Sequence, residues 1–110
     1  MKTIEKLLRV LANGNRLRIM KMLEKKSMCV CEITEVLAIR QPSVTEHLVK
    51  LKDSGLIGER QNGLYTEFHI LRRSPAANIW KLLSPVMDNE RQVSRDISVS
   101  MKTDRRKICK

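Results

Sequence analysis

A change in the spacing of apolar residues near position 55 limits the folds open to this chain. Before it, apolar residues recur three and four positions apart, which predicts a series of short helices. After it the period approaches two, so residues 56–61 and 64–70 are expected to form strands. Asn62 and Gly63 between them are the strongest short signal for a hairpin turn. We therefore expect a mainly α-helical domain with one β-hairpin.

Capping and breaking residues divide the helical part. Polar residues that favour helix starts, and glycine or proline residues that favour ends, predict helices over about 3–11, 15–26, 29–37, 41–54 and 76–92. Pro85 is expected to kink or restart the last of these. Beyond about residue 92 the apolar pattern fades. The sequence therefore predicts a folded domain over 1–92 and a basic, flexible tail over 93–110.

Composition limits the partners and the compartment. A net charge of +10 over 110 residues favours a polyanionic partner. No apolar run is long enough to cross a bilayer, and the amino terminus lacks a signal-peptide pattern, so no membrane partner and a cytoplasmic location are expected. No carboxylate pair, nucleophile–base set or phosphate-binding loop is present, which argues against an enzyme. Three cysteines in a reducing compartment indicate free thiols, metal ligands or redox sensors.

Two short helices joined by a tight turn and followed by a hairpin are typical of a winged helix-turn-helix that binds DNA. The start of the fourth helix would then enter the major groove, with hydrogen-bonding side chains available for bases and phosphates. Lys50 further along can reach phosphate, and Arg60 and Asn62 near the hairpin tip suit phosphate or the minor groove. The candidate reading residues are Gln41, Ser43, Thr45, Glu46 and His47. The alternatives are that Ser43 and Thr45 only cap the helix and that His47 is an ordinary surface histidine.

The Cys29-Val30-Cys31 stretch is the candidate inorganic site. Soft thiolates select soft or borderline ions, and a helix N-terminus is expected to lower the pKa of a thiol there. Side chains two residues apart on an ideal helix diverge by about 200°. Both sulfurs can therefore bind one ion only if the first turn is distorted. The alternative is that Cys29 and Cys31 are small buried apolar residues.

Two segments carry a resemblance to a known family. The stretch QPSVTEHLVKLKDSGLIGERQNGLYTEFHI resembles the recognition helix and wing of the ArsR-type (arsenic repressor) metalloregulators, and LANGNRLRIMKMLEKKSMCVCEITEVL resembles their second and third helices. The similarity covers about residues 5–83. It implies a repressor of double-stranded operator DNA that is released by arsenite or antimonite, ahead of cadmium, lead or zinc, with no organic cofactor.

This sequence departs from the family pattern in its ligands. Some members place a third cysteine shortly after the pair, where Thr34 stands here, and others place cysteines near the amino terminus, where this chain has none. Cys109 is the remaining candidate for a third ligand. The family's other site, a zinc site in the last helix, is expected to be absent because residues 88–93 contain no histidine.

The first and last predicted helices carry apolar stripes that need a partner. We expect a two-fold homodimer through these helices, bound to a near-palindromic operator. The expected interface residues are Leu7, Leu8, Leu11, Ile79, Trp80 and Leu83. Two alternatives remain at this point: a repressor of the same fold that senses oxidation through its thiols, and an architectural nucleic-acid protein without an inducer.

Overall fold

The computed structural model describes residues 2–108, which form helices around a small antiparallel sheet. In chain order the elements are α1 Lys2–Leu11, α2 Gly14–Leu23, β1 Met28–Cys29, α3 Val30–Leu37, α4 Gln41–Asp53, β2 Ile57–Asn62, β3 Tyr65–Ile70, α5 Pro75–Leu83, a 3-10 turn Ser84–Met87, α6 Arg91–Ser100 and α7 Arg105–Ile108. The expected mainly helical fold with a hairpin is confirmed.

Local chemistry explains where several helices begin. The side chain of Asn13 accepts a hydrogen bond from the Arg16 backbone N–H at 3.1 Å, so the cap of α2 lies two residues before the expected Asn15. Ser74 caps α5 in the same way, and Pro75 occupies the first turn, where a missing N–H costs little. Between α3 and α4 the chain turns through Ala38 in the left-handed region, with a φ of 55°.

The sheet has the strand order β1-β3-β2. Strands β2 and β3 form the expected hairpin, with Asn62 opposite Tyr65 and Gly63 in the turn at a φ of 61°. Strand β1 is not in the sequence prediction, because two residues are too few to display a period of two. It pairs Cys29 with Glu67 on β3, and it therefore joins the start of α3 directly to the wing.

The core is aliphatic and lies between α2, α3, α4 and the sheet. Its fully buried side chains come from each of these elements, and few aromatic residues contribute. The central members are Ile19, Met20, Met22, Ile33, Val44, Leu48, Leu51, Leu56 and Ile57. Since Val44, Leu48 and Leu51 are on one face of α4, the opposite face of that helix is left to solvent.

The segment after residue 92 differs from the predicted flexible tail. Helix α6 packs against α2, where Arg18 donates to both oxygens of Asp96 at 2.8 and 3.0 Å, and Asp96 is only 2% exposed. Helix α7 packs against α3. The apolar pattern missed α6 because a buried ion pair and small polar residues, including the buried Ser100, hold it in place.

Candidate nucleic-acid interface and thiol site

The exposed face of α4 carries the predicted reading residues. Gln41, Ser43, Thr45, Glu46 and Lys50 are exposed, and His47 is half-buried. The helix begins after Arg40, which makes no capping bond through its side chain, and among the described residues the hydroxyls of Ser43 and Thr45 make no helix-capping bond either. These hydroxyls are therefore available to an external partner.

The wing adds cations beside this face. Arg60 and Asn62 are exposed on β2, as the sequence predicts. Arg60 lies 3.6 Å from Glu67, and Lys50 lies 3.5 Å from Glu46 on the same helix turn. The Lys50–Glu46 pair is exposed and contributes little free energy, so Lys50 can exchange its carboxylate for a phosphate at small cost, whereas the carboxylate beside Arg60 is buried.

His47 is held from the neighbouring helix. The Nε–H of Arg16 donates to Nδ1 of His47 at 3.1 Å. Burial is the main cause that lowers the pKa of His47, and the positive charge of Arg16 lowers it further. The sequence alone gave no sign of this contact, which joins residues 31 positions apart.

Cys29 and Cys31 flank the junction between β1 and α3. Cys29 precedes the first residue of α3 and is 4% exposed, while Cys31 is half-buried in the first turn. The carboxylate of Glu32 accepts a hydrogen bond from the Cys29 backbone N–H at 3.1 Å, which ties the start of the helix to its own third residue. The two cysteines thus lie where a strand becomes a helix.

The expectation of a lowered thiol pKa is wrong for Cys29. Burial is the largest cause and raises the pKa of this thiol. A backbone hydrogen bond with Glu32 opposes it, the negative charge of Glu32 raises the pKa further, and the charge of Arg105 lowers it. Desolvation disfavours the thiolate more than the helix N-terminus favours it. The fold therefore disfavours the thiolate form of Cys29.

A cluster of charges that the sequence did not predict lies beside the cysteines. Arg105 of α7 bridges two buried carboxylates, donating to Glu32 on α3 at 2.8 Å and to Glu67 on β3 at 2.9 Å. The hydroxyl of Thr103 also donates to Glu32, at 2.8 Å. The guanidinium lies 5.0 Å from the centre of the Tyr65 ring. Through these contacts the C-terminal segment joins the thiol-bearing helix to the wing.

With this geometry established, comparison with known proteins places the chain. The family model described as "Bacterial regulatory protein, arsR family" matches residues 13–58. The arsenic resistance transcriptional regulator of Pseudomonas putida is 30% identical over 90 residues, which are 78% of this chain and 68% of that protein. The chain belongs to the ArsR family. The arsenical resistance operon repressor of Escherichia coli is 34% identical over 71 residues, 64% of this chain, and this match spans about three fifths (61%) of that repressor.

Solved structures confirm the ArsR-family fold. The reduced form of HlyU from Vibrio cholerae matches with a TM-score of 0.68 at 24% identity, over 80% of this chain and 92% of that one. The transcriptional repressor BigR from Xylella fastidiosa matches with a TM-score of 0.70 at 23% identity, over 80% and 86%. A homodimeric winged helix-turn-helix domain from Mycobacterium bovis matches with a TM-score of 0.68 at 24% identity, over 82% of each chain. Family and fold are those of transcriptional regulators and not of enzymes.

The predicted ligands of this ArsR-family chain are only partly within the described residues. Cys29 and Cys31 are two positions apart, whereas Cys109 lies outside residues 2–108. Within that range no group of three or more histidine, cysteine or acidic residues is arranged to hold a metal ion. Over the same range no helix is both long enough and apolar enough to cross a bilayer.

The six predicted interface residues divide into two groups. Leu7, Leu11 and Trp80 are 6%, 4% and 2% exposed within the single protomer, so their side chains already belong to its core. Leu8 is 49% exposed, and Ile79 and Leu83 are half-buried. Two apolar residues missing from the prediction are far more exposed: Leu82 and Val86, each 79% exposed, lie on α5 and the 3-10 turn after it.

Proposed function

We propose that this ArsR-family chain is a dimeric transcriptional repressor that releases its operator DNA when a thiophilic ion binds Cys29 and Cys31. Arsenite or antimonite is the proposed inducer. One observation carries the proposal: Cys29 directly precedes α3, Cys31 lies in its first turn, and the buried face of α3 packs against the candidate recognition helix α4. A change at the thiols therefore acts on the helix that would read DNA.

The DNA-binding part of the proposal is supported by charge and exposure. The chain has a net charge of +10, and the solvent face of α4 carries side chains that donate and accept hydrogen bonds. The helix fits the major groove, where each base pair presents its own pattern of donors and acceptors. Arg60 on the wing supplies a cation for the phosphate backbone.

The switch follows from the geometry of an i, i+2 pair. Cys29 is the extended residue before α3 and Cys31 lies in its first turn, so an ion bound to both sulfurs would bend the start of α3 and strain the hydrogen bond from the Cys29 N–H to Glu32. Ile33 and Leu37 of α3 are buried in the core beside α4, so a bent α3 shifts the support of α4. By linkage, the ion releases DNA because it binds the DNA-free form more tightly.

Arsenic in its trivalent state prefers three sulfur ligands, and we propose Cys109 as the third. The proposal of arsenite is supported by the names of the relatives, two of which are arsenic-resistance regulators. Thiolate ligands also suit antimonite, which has the same chemistry, and they suit cadmium, lead and zinc as competitors.

The dimer is proposed through the first helix and the α5 region. The exposed apolar residues Leu8, Leu82 and Val86 supply surface that a second copy would cover. One recognition helix contacts too little DNA for tight specific binding, and a two-fold dimer would place two such helices on half-sites about one helical turn apart.

The test is a titration of the DNA-bound protein with arsenite, antimonite, cadmium, lead and zinc, monitored by fluorescence anisotropy of a labelled operator. Cys29→Ser and Cys31→Ser should each bind the operator as wild type does and lose the response to arsenite. Cys109→Ser is the matched variant outside the pair, and it should weaken arsenite binding without abolishing release. Release by arsenite in both Cys29→Ser and Cys31→Ser would contradict the proposal.

A thiol-based redox sensor of the same fold is the second candidate. It is favoured by the place of Cys29 and Cys31 at the start of α3, because reversible oxidation there would act on the same helix that packs against α4. Release of DNA by peroxide, reversed by a thiol reductant and unaffected by arsenite, would support this candidate over the first.

A further inference from the structure

The side chain of Arg16 joins the helix before the recognition helix to its reading face. Its Nε–H donates to Nδ1 of His47 at 3.1 Å, and its Nη1 donates to the backbone carbonyl of Val10 at the end of α1 at 3.2 Å. The backbone N–H of Arg16 is bound to the Asn13 side chain, which caps α2. The guanidinium is therefore held between α1 and α4 in a defined position.

This contact decides where the proton of the neutral imidazole lies. A guanidinium has N–H donors and no acceptor, so Nδ1 of His47 must present its lone pair to Arg16. A neutral imidazole carries one proton, which must then be on Nε2. Among the residues that the structure describes, Nε2 of His47 has no hydrogen-bond partner, so its N–H remains for a partner from outside the chain.

The surroundings keep this imidazole neutral. Burial is the main cause that lowers the pKa of the imidazole, and the positive charges of Arg16 and Lys50 lower it further, whereas Glu46 raises it. Arg16 and Lys50 also line a cleft of about 390 Å³ with two cations of α1, Lys6 and Arg9, and one acid, Asp53.

We propose that Arg16 is a positioning residue for DNA reading: it fixes His47 in the tautomer with its proton on Nε2, so that His47 selects a hydrogen-bond acceptor in the major groove. The acceptors there are the purine ring nitrogen, the guanine carbonyl and the thymine carbonyl, whereas the amino groups of adenine and cytosine are donors. The opposite tautomer, with Nε2 unprotonated, would prefer those amino groups. The inference rests on the proposed function, because it assigns a base class to one residue of the proposed reading face.

The first measurement needs no variant. Long-range nitrogen–proton NMR correlations of the His47 ring, in the full chain at pH 7.5, distinguish the two neutral tautomers and the protonated form. We expect a protonated Nε2 and an unprotonated Nδ1. A proton on Nδ1 in the wild-type chain overturns the inference.

The second measurement compares base preference. Sequences bound by the wild-type chain are selected from a randomised duplex library, and each base pair of the selected half-site is then replaced in turn. His47→Ala and Arg16→Met should both relax the preference at the same base pair by at least about fivefold, and the double variant should relax it no further. Arg95→Met, which removes one exposed positive charge on α6, is the control and should leave the preference unchanged.

The outcomes separate this inference from the function on which it rests. Equal binding of the wild-type chain to every duplex overturns the proposed repressor function together with the inference. A wild-type preference that survives unchanged in a folded Arg16→Met variant overturns the inference alone. Arg16→Met could instead reduce affinity equally for all duplexes and make the slope of log K against log salt concentration shallower by about 0.9. Arg16 would then be a phosphate contact, and the inference is again overturned.

Discussion

The guanidinium of Arg105 donates to the carboxylate of Glu32 at 2.8 Å, across 73 residues of sequence. The second arm of the same side chain reaches Glu67 on the wing at 2.9 Å. The side chains of both acids are less than 10% exposed, and that of Arg105 is 20% exposed. One cation from the C-terminal segment thus bridges two buried acids, one on the helix of the cysteines and one on the strand of the hairpin, and Lys26 and Arg60 lie further away, at 3.5 Å from Glu32 and 3.6 Å from Glu67.

Removing this cation should destabilise the protein strongly. Arg105→Gln leaves two buried carboxylates without their main partner, and breaking a buried pair from one side costs about 3 kcal/mol of unfolding free energy. Arg106→Gln is the matched control, because the side chain of Arg106 is 85% exposed and its ion pair contributes little. Urea denaturation at pH 7 measures both. Equal losses in the two variants would show that the buried pairs do not carry this stability.

Low pH should remove the stabilisation that Arg105 gives to the fold through Glu32 and Glu67. Although burial alone would raise the pKa of Glu67, hydrogen bonds and the charge of Arg105 hold it below its usual range, and the pKa of Glu32 is lowered too. A carboxyl whose pKa is lower in the folded chain stabilises the fold above the unfolded pKa and loses that effect as pH falls through the folded pKa. The stability difference between wild type and Arg105→Gln should therefore shrink below about pH 4.5. A constant difference from pH 7 to pH 3 would contradict this.

Sequence patterns predicted those parts of the fold that local chemistry determines. The hairpin follows from Asn62 and Gly63, and the exposed face of α4 follows from the spacing of Val44, Leu48 and Leu51. In these cases neighbours in sequence decide the structure, through a turn conformation or through a helical period.

The remainder depends on pairs that are distant in sequence. Helix α6 is fixed by Arg18 and Asp96, 78 residues apart, and the contact of Arg16 with His47 spans 31. No periodicity reveals which charged residue will be buried by a partner. The pKa of Cys29 was misjudged for a related reason, because burial at a strand-to-helix junction is a property of the folded chain.

Proton balance should distinguish arsenite from divalent cations as inducers. Burial raises the pKa of Cys29, so this thiol must lose its proton on binding. Arsenous acid supplies a hydroxide for each thiol: an arsenic–sulfur bond forms, an arsenic–oxygen bond breaks, and the proton leaves in water. Cadmium releases the proton to solvent, so its affinity should rise by about tenfold per pH unit for each proton lost. Titrations from pH 6 to pH 8 should find arsenite affinity nearly constant. A tenfold rise per unit for arsenite would contradict the mechanism.

The exposed apolar residues after α5 should determine dimerisation. Leu82 and Val86 are each 79% exposed in the single protomer, and covering them with a second copy would remove apolar surface from water. Leu82→Glu and Val86→Glu should each place a charge in that interface and weaken the dimer by at least about tenfold, since an unpaired buried charge costs several kcal/mol.

Leu64→Glu is the control: Leu64 is 93% exposed, but it lies at the turn of the hairpin, away from α5. Sedimentation equilibrium at micromolar concentration should find monomers for the first two variants and dimers for the third. Unchanged dimers in all three would place the interface elsewhere, and a monomeric wild type would remove the dimer from the proposed mechanism.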